Sequence, residues 1–385
     1  MSPSSMSPVT GSSVRGLQNN VVDGNTLVAA LTAPRIAGLD FLRALAVTLV
    51  LLGHSVEGEA HLGKWLGELS GLGVKLFFVL SGFLITRLLL DEIDAQGRIH
   101  FKAFYRRRIA RLMPAFYLYL GVALAVLCLR HKPIPWAAVT SSVLYITNYY
   151  QAFTGAQSNI VSHCWSLAVE EQFYMLWPLL VAFLFIRRVN MAGALAVIIL
   201  AVWCWRLFLT LLTETSVDYL YRALDTRADE LAVGCLMAVL VRHATWRARL
   251  AVIMRLPLAG AVLVLLIYIF TLAHGQGKVF KYGVGFMVEP IMIALLILTT
   301  VVAASKAKGW LAALLNHRLL VHMGQVSYGV YLFHGMIMYS VQHAVQNRTG
   351  SFWLGFATAF VAVFAFAAAT FRWYETPMQR LINRR

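Results

Sequence analysis

This sequence has little charge. Only 13% of its 385 residues are Asp, Glu, Lys or Arg, against about 25% in an ordinary soluble domain. Too little polar surface remains to cover a water-soluble globule of this size. A soluble enzyme, a coiled coil and a disordered chain are all excluded. Cysteine is also scarce: Cys128, Cys164, Cys204 and Cys235 are far apart, with no CxxC pair among them. That spacing offers neither a disulfide framework nor a zinc site. The nucleotide P-loop, HExxH and GxSxG patterns are all missing, and no ordered metal-ligand spacing emerges, so no metal is expected. Acids are outnumbered, 17 against 33 Lys and Arg, for a formal charge of +16. The basic residues sit mostly in short segments between apolar runs. This reads as membrane topology and lipid headgroup contact, not nucleic-acid binding.

What the chain does have is apolar length. Hydrophobic residues make up 59% of it and mean hydropathy is +0.70. Runs of 18 or more apolar residues recur along it, each able to cross the roughly 30 Å hydrocarbon layer. The expectation is an all-α polytopic transmembrane bundle of about ten spans, in the cell inner (plasma) membrane. The spans fall near 38–56, 68–90, 112–129, 165–186, 191–212, 227–242, 250–273, 283–304, 322–343 and 352–371. The sixth has the weakest signal, because Arg227, Asp229 and Glu230 crowd its start. Residues 136–150 are apolar but short, suited to an interfacial or re-entrant piece. Placing both termini in the cytoplasm puts 22 of the 33 basic residues on that side. Residues 1–34 then read as a flexible cytoplasmic leader, 35–377 as the membrane domain and 378–385 as a basic cytoplasmic tail. No inter-span segment is long enough for a separate soluble catalytic domain, so chemistry must use groups at membrane depth or at span ends.

Ionisable side chains inside spans are costly and default to a functional reading. Arg43 and His54 lie eleven residues apart in RALAVTLVLLGH. At about 100° per residue they share one helix face, separated by about 16 Å of rise. An Arg at that depth can hold an anionic group, and a His can take a proton from a hydroxyl near neutral pH. Their bland alternative is a snorkelling Arg and a helix-capping His. The second span carries GVKLFFVLSGFLITR, where Ser81 is a polar step and Lys75 either neutralises a carboxylate or snorkels. The segment FKAFYRRRIARLMP places Arg108 and Arg111 on one face, suited to phosphate or to anionic lipid.

In WSLAVEEQFYMLWP, Ser166 and Glu170 are i,i+4 neighbours and Glu171 points about 100° away. One carboxylate could orient a His base; the structural alternative is neutralising Arg227 or Lys75. The string YRALDTRADELAVG, with Asp225, Arg227, Asp229 and Glu230, is either a ligand clamp or a self-neutralising cap. SYGVYLFH adds Ser327, Tyr328, Tyr331 and a second imidazole at His334. Arg227, Tyr328, Asp229 and His334 are further candidates for a polar site at membrane depth.

Taken together these segments and the terminal YETP resemble acyltransferase family 3, membrane proteins that move acyl groups onto carbohydrates, across about Arg35 to Pro377. The resemblance implies a ten-helix core and an acyl-CoA donor, most simply acetyl-CoA, reached from the cytoplasm as co-substrate. It implies Arg43 and His54 as the Arg–His pair, with His54 catalytic. It further implies Ser166/Glu170 as the SxxxE element and Arg108/Arg111 as the cytoplasmic Arg pair. The expected partners are acyl-CoA, a carbohydrate or glycoside acceptor, membrane lipids and enzymes of glycan biosynthesis. Some members carry a fused extracytoplasmic esterase-type domain; here Pro377 is followed by 8 residues, so transfer is expected to use the membrane core or a separate partner. The rival reading is a secondary transporter exporting a sugar or lipid-linked glycan, since buried Arg, His and Glu also suit a proton relay. Against it, the sequence shows no internal repeat and no matching pair of Gly/Pro-broken spans. A non-catalytic scaffold would leave the in-span Arg–His pair unexplained.

Overall fold

The apolar runs become helices in the computed structural model, which describes residues 36–56, 64–155, 160–253, 277–306 and 309–384. The expected leader at 1–34 and most of the expected span at 250–273 lie outside them. No strand occurs among the described residues. The helices are α1 Leu39–Ser55, α2 Lys64–Gln96, α3 Phe101–Leu129, α4 Trp136–Val143, α5 Thr147–Thr154, α6 Cys164–Ile186, α7 Met191–Leu212, α8 Val217–Arg222, α9 Leu224–Leu240 and α10 Ala244–Ile253. A π-helical turn, Val279–Gly285, leads into α11 Phe286–Lys306. After it come α12 Trp310–Leu315, α13 Arg318–Gln325, α14 Ser327–Thr349, α15 Phe352–Thr370, a second π turn Phe371–Glu375, and α16 Thr376–Asn383.

Among the described residues six helical stretches are long and apolar enough to cross a membrane: Leu66–Gln96, Phe101–Leu129, Cys164–Ile186, Met191–Leu212, Val279–Ser305 and Phe352–Asn383. Helices α1, α9 and α14 occupy three more of the expected spans, but are shorter (17 residues for α1 and α9) or more polar. Residues 136–150 fold as α4 and the start of α5, two helices of 8 residues each, too short to span. Interior prolines at Pro114, Pro178 and Pro290 are accommodated within α3, α6 and α11, as neighbouring helices allow in a membrane bundle.

Polarity is distributed inside out relative to a soluble protein. Leu176, Leu179, Phe183, Leu200, Leu211 and Val361 face outward, while Lys75, Arg206, Arg227, Asp229 and Glu230 are sealed inside. An apolar shell around a polar interior fits lipid as the surrounding solvent. α2 is the central helix and packs along both α1 and α9, while α14 packs on α15. Glycine permits the α2–α9 crossing: a Cβ on Gly82 would run into the carbonyl of Leu231, and one on Gly234 into the carbonyl of Val79. The two backbones therefore touch, as small residues allow in lipid.

The acidic start of α9, which weakens its apolar signal, is explained by pairing. Arg206 of α7 makes two hydrogen bonds of 2.9 Å to Asp229, whose Oδ2 also accepts from Trp203 Nε1 at 2.9 Å. Arg227 donates to Glu230 at 2.9 Å and to the Tyr221 carbonyl at 3.0 Å. All four charged side chains are fully buried.

Candidate active site

Two cavities lined by described residues gather most of the candidate side chains. The first, about 350 Å³, draws Arg43 from α1, Ser81 from α2, Arg107, Arg108 and Arg111 from α3, Ser166, Glu170 and Tyr174 from α6, and Tyr328 and Tyr331 from α14. The second, about 840 Å³, is lined by His54, Ser70, Gln151, His163, Arg222, His334 and Gln342, among others. Val74 and Tyr331 line both. The arginine chamber and the histidine chamber thus share a wall, with Arg43 at one and His54 at the other, as their common helix face requires.

In the arginine chamber positive charge dominates. Arg43 is engaged by Asp40 at 3.0 Å, one turn away, and Arg107 lies 3.7 Å from Glu92. Among the described residues neither Arg108 nor Arg111 closes an ion pair. The Arg108 guanidinium lies 4.0 Å over the Tyr174 ring, which orients it by cation–π attraction. Tyr174 donates to Ser81 at 2.9 Å, and Ser81 donates to Glu170 Oε1 at 2.5 Å. Two uncommitted guanidiniums beside one carboxylate, Arg108 half-buried and Arg111 exposed, are suited to a multiply charged anion such as a phosphate group.

In the histidine chamber the imidazoles are held by backbone carbonyls. His54 Nδ1 lies 2.9 Å from the Val50 oxygen, and His334 Nδ1 lies 2.5 Å from the Tyr331 oxygen. A carbonyl can only accept, so the neutral rings carry their proton on Nδ1 and Nε2 is the basic nitrogen. The His54 ring lies 5.0 Å from His334, which lies 5.1 Å from His163. His163 Nε2 is buried with no hydrogen-bond partner among the described residues. No group of three or more His, Cys, Asp or Glu side chains among the described residues is arranged to hold a metal ion.

The structure therefore gathers Arg43, Ser81, Arg108, Arg111, Ser166, Glu170 and Tyr328 around one chamber, and His54 and His334 around the other. It redirects several expectations. Glu170 lies in the arginine chamber, bonded to Ser81 with Arg108, Arg111 and Arg43 as its charge neighbours, instead of orienting His54. Arg227 and Asp229 line neither cavity. Both are consumed by the buried pairs described above, and Arg227 is enclosed by the rings of Phe78, Trp165, Tyr221 and Phe286. Glu171 is half-buried and outside both linings. Tyr328 donates its hydroxyl to the Leu112 carbonyl at 3.3 Å, which makes it a wall and not a carbonyl-polarising donor. The sequence reading missed His163, Gln151 and Arg222, which reach the histidine chamber from two short helices and a loop. No local pattern marks them.

Among the described residues an all-helical bundle thus encloses a cationic chamber back to back with an imidazole chamber. The chain matches, over residues 36–372, the family model described as an acyltransferase domain, and it belongs to that family. Among curated relatives, the peptidoglycan O-acetyltransferase OatA of Listeria monocytogenes is 29% identical over 369 residues, covering 90% of this chain and 56% of that protein. YrhL of Bacillus subtilis, named only provisionally as a peptidoglycan O-acetyltransferase, is 33% identical over 324 residues, 78% of this chain and 48% of its own length. A Staphylococcus aureus (strain COL) protein provisionally named an O-acetyltransferase is 29% identical over 364 residues, covering 90% and 57%. The chain spans about half the length of the curated relatives it matches. No solved structure matches.

Proposed function

We propose that this protein is a membrane O-acyltransferase that moves an acyl group, in the simplest case acetyl, from acyl-CoA to a hydroxyl of a cell-envelope carbohydrate. Sugars of peptidoglycan, named in the relatives, are the first acceptors to try. The observation that carries this reading is the shared wall: Tyr331 and Val74 line both the chamber of the arginines and the chamber of His54.

In this reading the chain spans the inner (plasma) membrane about ten times with both termini cytoplasmic, and the arginine chamber faces the cytoplasm. Arg108 and Arg111, with Arg43 behind them, hold the CoA phosphates, while the pantetheine arm runs along α1 toward the histidine chamber. The acceptor enters that chamber from the opposite side, supplied by enzymes of glycan assembly. His54 Nε2 takes the proton as the hydroxyl oxygen attacks the thioester carbonyl carbon. The tetrahedral intermediate collapses with cleavage of the carbon–sulfur bond, and the imidazolium returns the proton to the departing CoA thiolate. The thioester is already activated, so alignment of the hydroxyl supplies much of the remaining acceleration.

The test uses the full chain in nanodiscs with acetyl-CoA and soluble peptidoglycan fragments. Thioester consumption that requires the acceptor supports transfer and argues against transport. The His54→Ala variant, still folded by its thermal unfolding curve, should lose roughly 10²–10⁴-fold in rate. Undiminished transfer in that variant removes His54 from the mechanism.

A further inference from the structure

The wall between the chambers is held on both sides. Tyr331 donates its hydroxyl to the His163 carbonyl at 3.1 Å and is also bonded to Ser166 Oγ at 2.5 Å. Ser166 Oγ also reaches the His163 carbonyl at 3.3 Å, so the two hydroxyls share that acceptor and either can donate to the other. An edge contact with Phe77, 6.3 Å between ring centroids, holds the phenol from the arginine side. The other residue common to both chambers, Val74, follows Gly73, whose Cα packs so closely on α1 that a Cβ would strike the carbonyl of Ala46. The α2 backbone beside Val74 is therefore seated directly on α1. Val74 and Tyr331 are each only 5% exposed. The boundary between the chambers is thus lined by a β-branched side chain on a backbone packed against α1 and by a ring latched by hydrogen bonds.

We propose that Val74 and Tyr331 form the aperture through which the acyl group reaches the acceptor, and that this aperture selects short acyl chains. The inference rests on the acyl-transfer reading above and adds a specificity device to it. A carbonyl carbon held at the arginine side must come level with His54 to meet the hydroxyl, and the two residues common to both chambers line that route. The isopropyl group and the anchored ring that line this route from both chambers would set the width open to methylenes beyond acetyl. Each additional methylene in a tight apolar passage is discriminated by roughly 10- to 200-fold.

The experiment compares kcat/KM for acetyl-, propionyl- and butyryl-CoA with the same peptidoglycan fragment, using the full chain in nanodiscs. Val74→Ala, which opens the wall, should raise the butyryl-to-acetyl ratio at least about tenfold. Val74→Ile, which adds one methylene and preserves the apolar β-branched character, should lower the propionyl-to-acetyl ratio by about tenfold. Should Val74→Ala not fold, Val74→Ile decides the matter by itself. Ratios within twofold of the unaltered protein, with acetyl transfer still measurable, overturn the aperture and leave the acyl-transfer reading standing. Absence of transfer from every thioester in the unaltered protein overturns that underlying reading, and the aperture with it.

Discussion

Lys75 of α2 and Glu289 of α11, 214 residues apart in the chain, form an ion pair inside the bundle. The ammonium also lies 4.1 Å from the centre of the Phe286 ring. By sequence Lys75 could have served a carboxylate or reached for the interface; the tertiary structure gives it the carboxylate. Together with Arg206–Asp229 and Arg227–Glu230, the pair brings three cations and three anions into the α2–α7–α9–α11 core in balance.

Breaking that balance should be expensive. Lys75→Met or Glu289→Gln alone leaves a buried charge without its partner, a loss of about 3–5 kcal/mol. Each single variant should show a clearly lower thermal midpoint in detergent. The double variant Lys75→Met/Glu289→Leu should recover most of it, because well-packed apolar groups can replace a buried pair. Single variants with unchanged midpoints contradict the pairing.

The arginine chamber makes a prediction about the donor. Removing Arg108 or Arg111 by substitution with Ala deletes charge-assisted hydrogen bonds of about 1.5–3 kcal/mol, so the KM for acetyl-CoA should rise roughly 10- to 100-fold. A truncated acetyl thioester without phosphates should be used equally well by variant and unaltered protein. Equal losses on both donors place the two arginines elsewhere in the mechanism. Glu170→Gln should likewise act on the donor KM and leave the pH profile of kcat in place, since Glu170 is bonded to Ser81 in this chamber. A displaced pH profile restores the His-orienting role read from its sequence.

The helix crossing at α2 and α9 is tested without reference to activity. Gly82→Ala and Gly234→Ala each force backbones apart and should cost about 1–3 kcal/mol of stability. Gly121→Ala on α3, where a Cβ meets nothing within 4 Å, serves as the control and should leave the thermal midpoint unchanged or slightly raised. Equal behaviour of all three variants contradicts the close approach.

Much of the site was legible because its chemistry is local in sequence. Arg43 and His54 are fixed by the period of one helix, and the i,i+4 pair Ser166 and Glu170 shares a face of α6, although only the fold shows that this face turns to the arginines. His163, Gln151 and Arg222 were illegible for the opposite reason. Each comes from a short helix or loop whose position is set by packing, and none stands in a periodic apolar run. The charged start of α9 was visible but ambiguous, since a ligand clamp and a buried ion-pair cluster have the same composition.

The sequence by itself determined the solvent and the secondary structure. Apolar runs with so few charges can bury their backbone polar groups only as helices in lipid. It also determined which helices carry ionisable groups and at what spacing. Only the tertiary structure decided which charges neutralise one another and which remain free to face a cavity. Pairing depends on the approach of helices remote in the chain, such as Lys75 to Glu289 and Arg206 to Asp229, and no local rule encodes that approach.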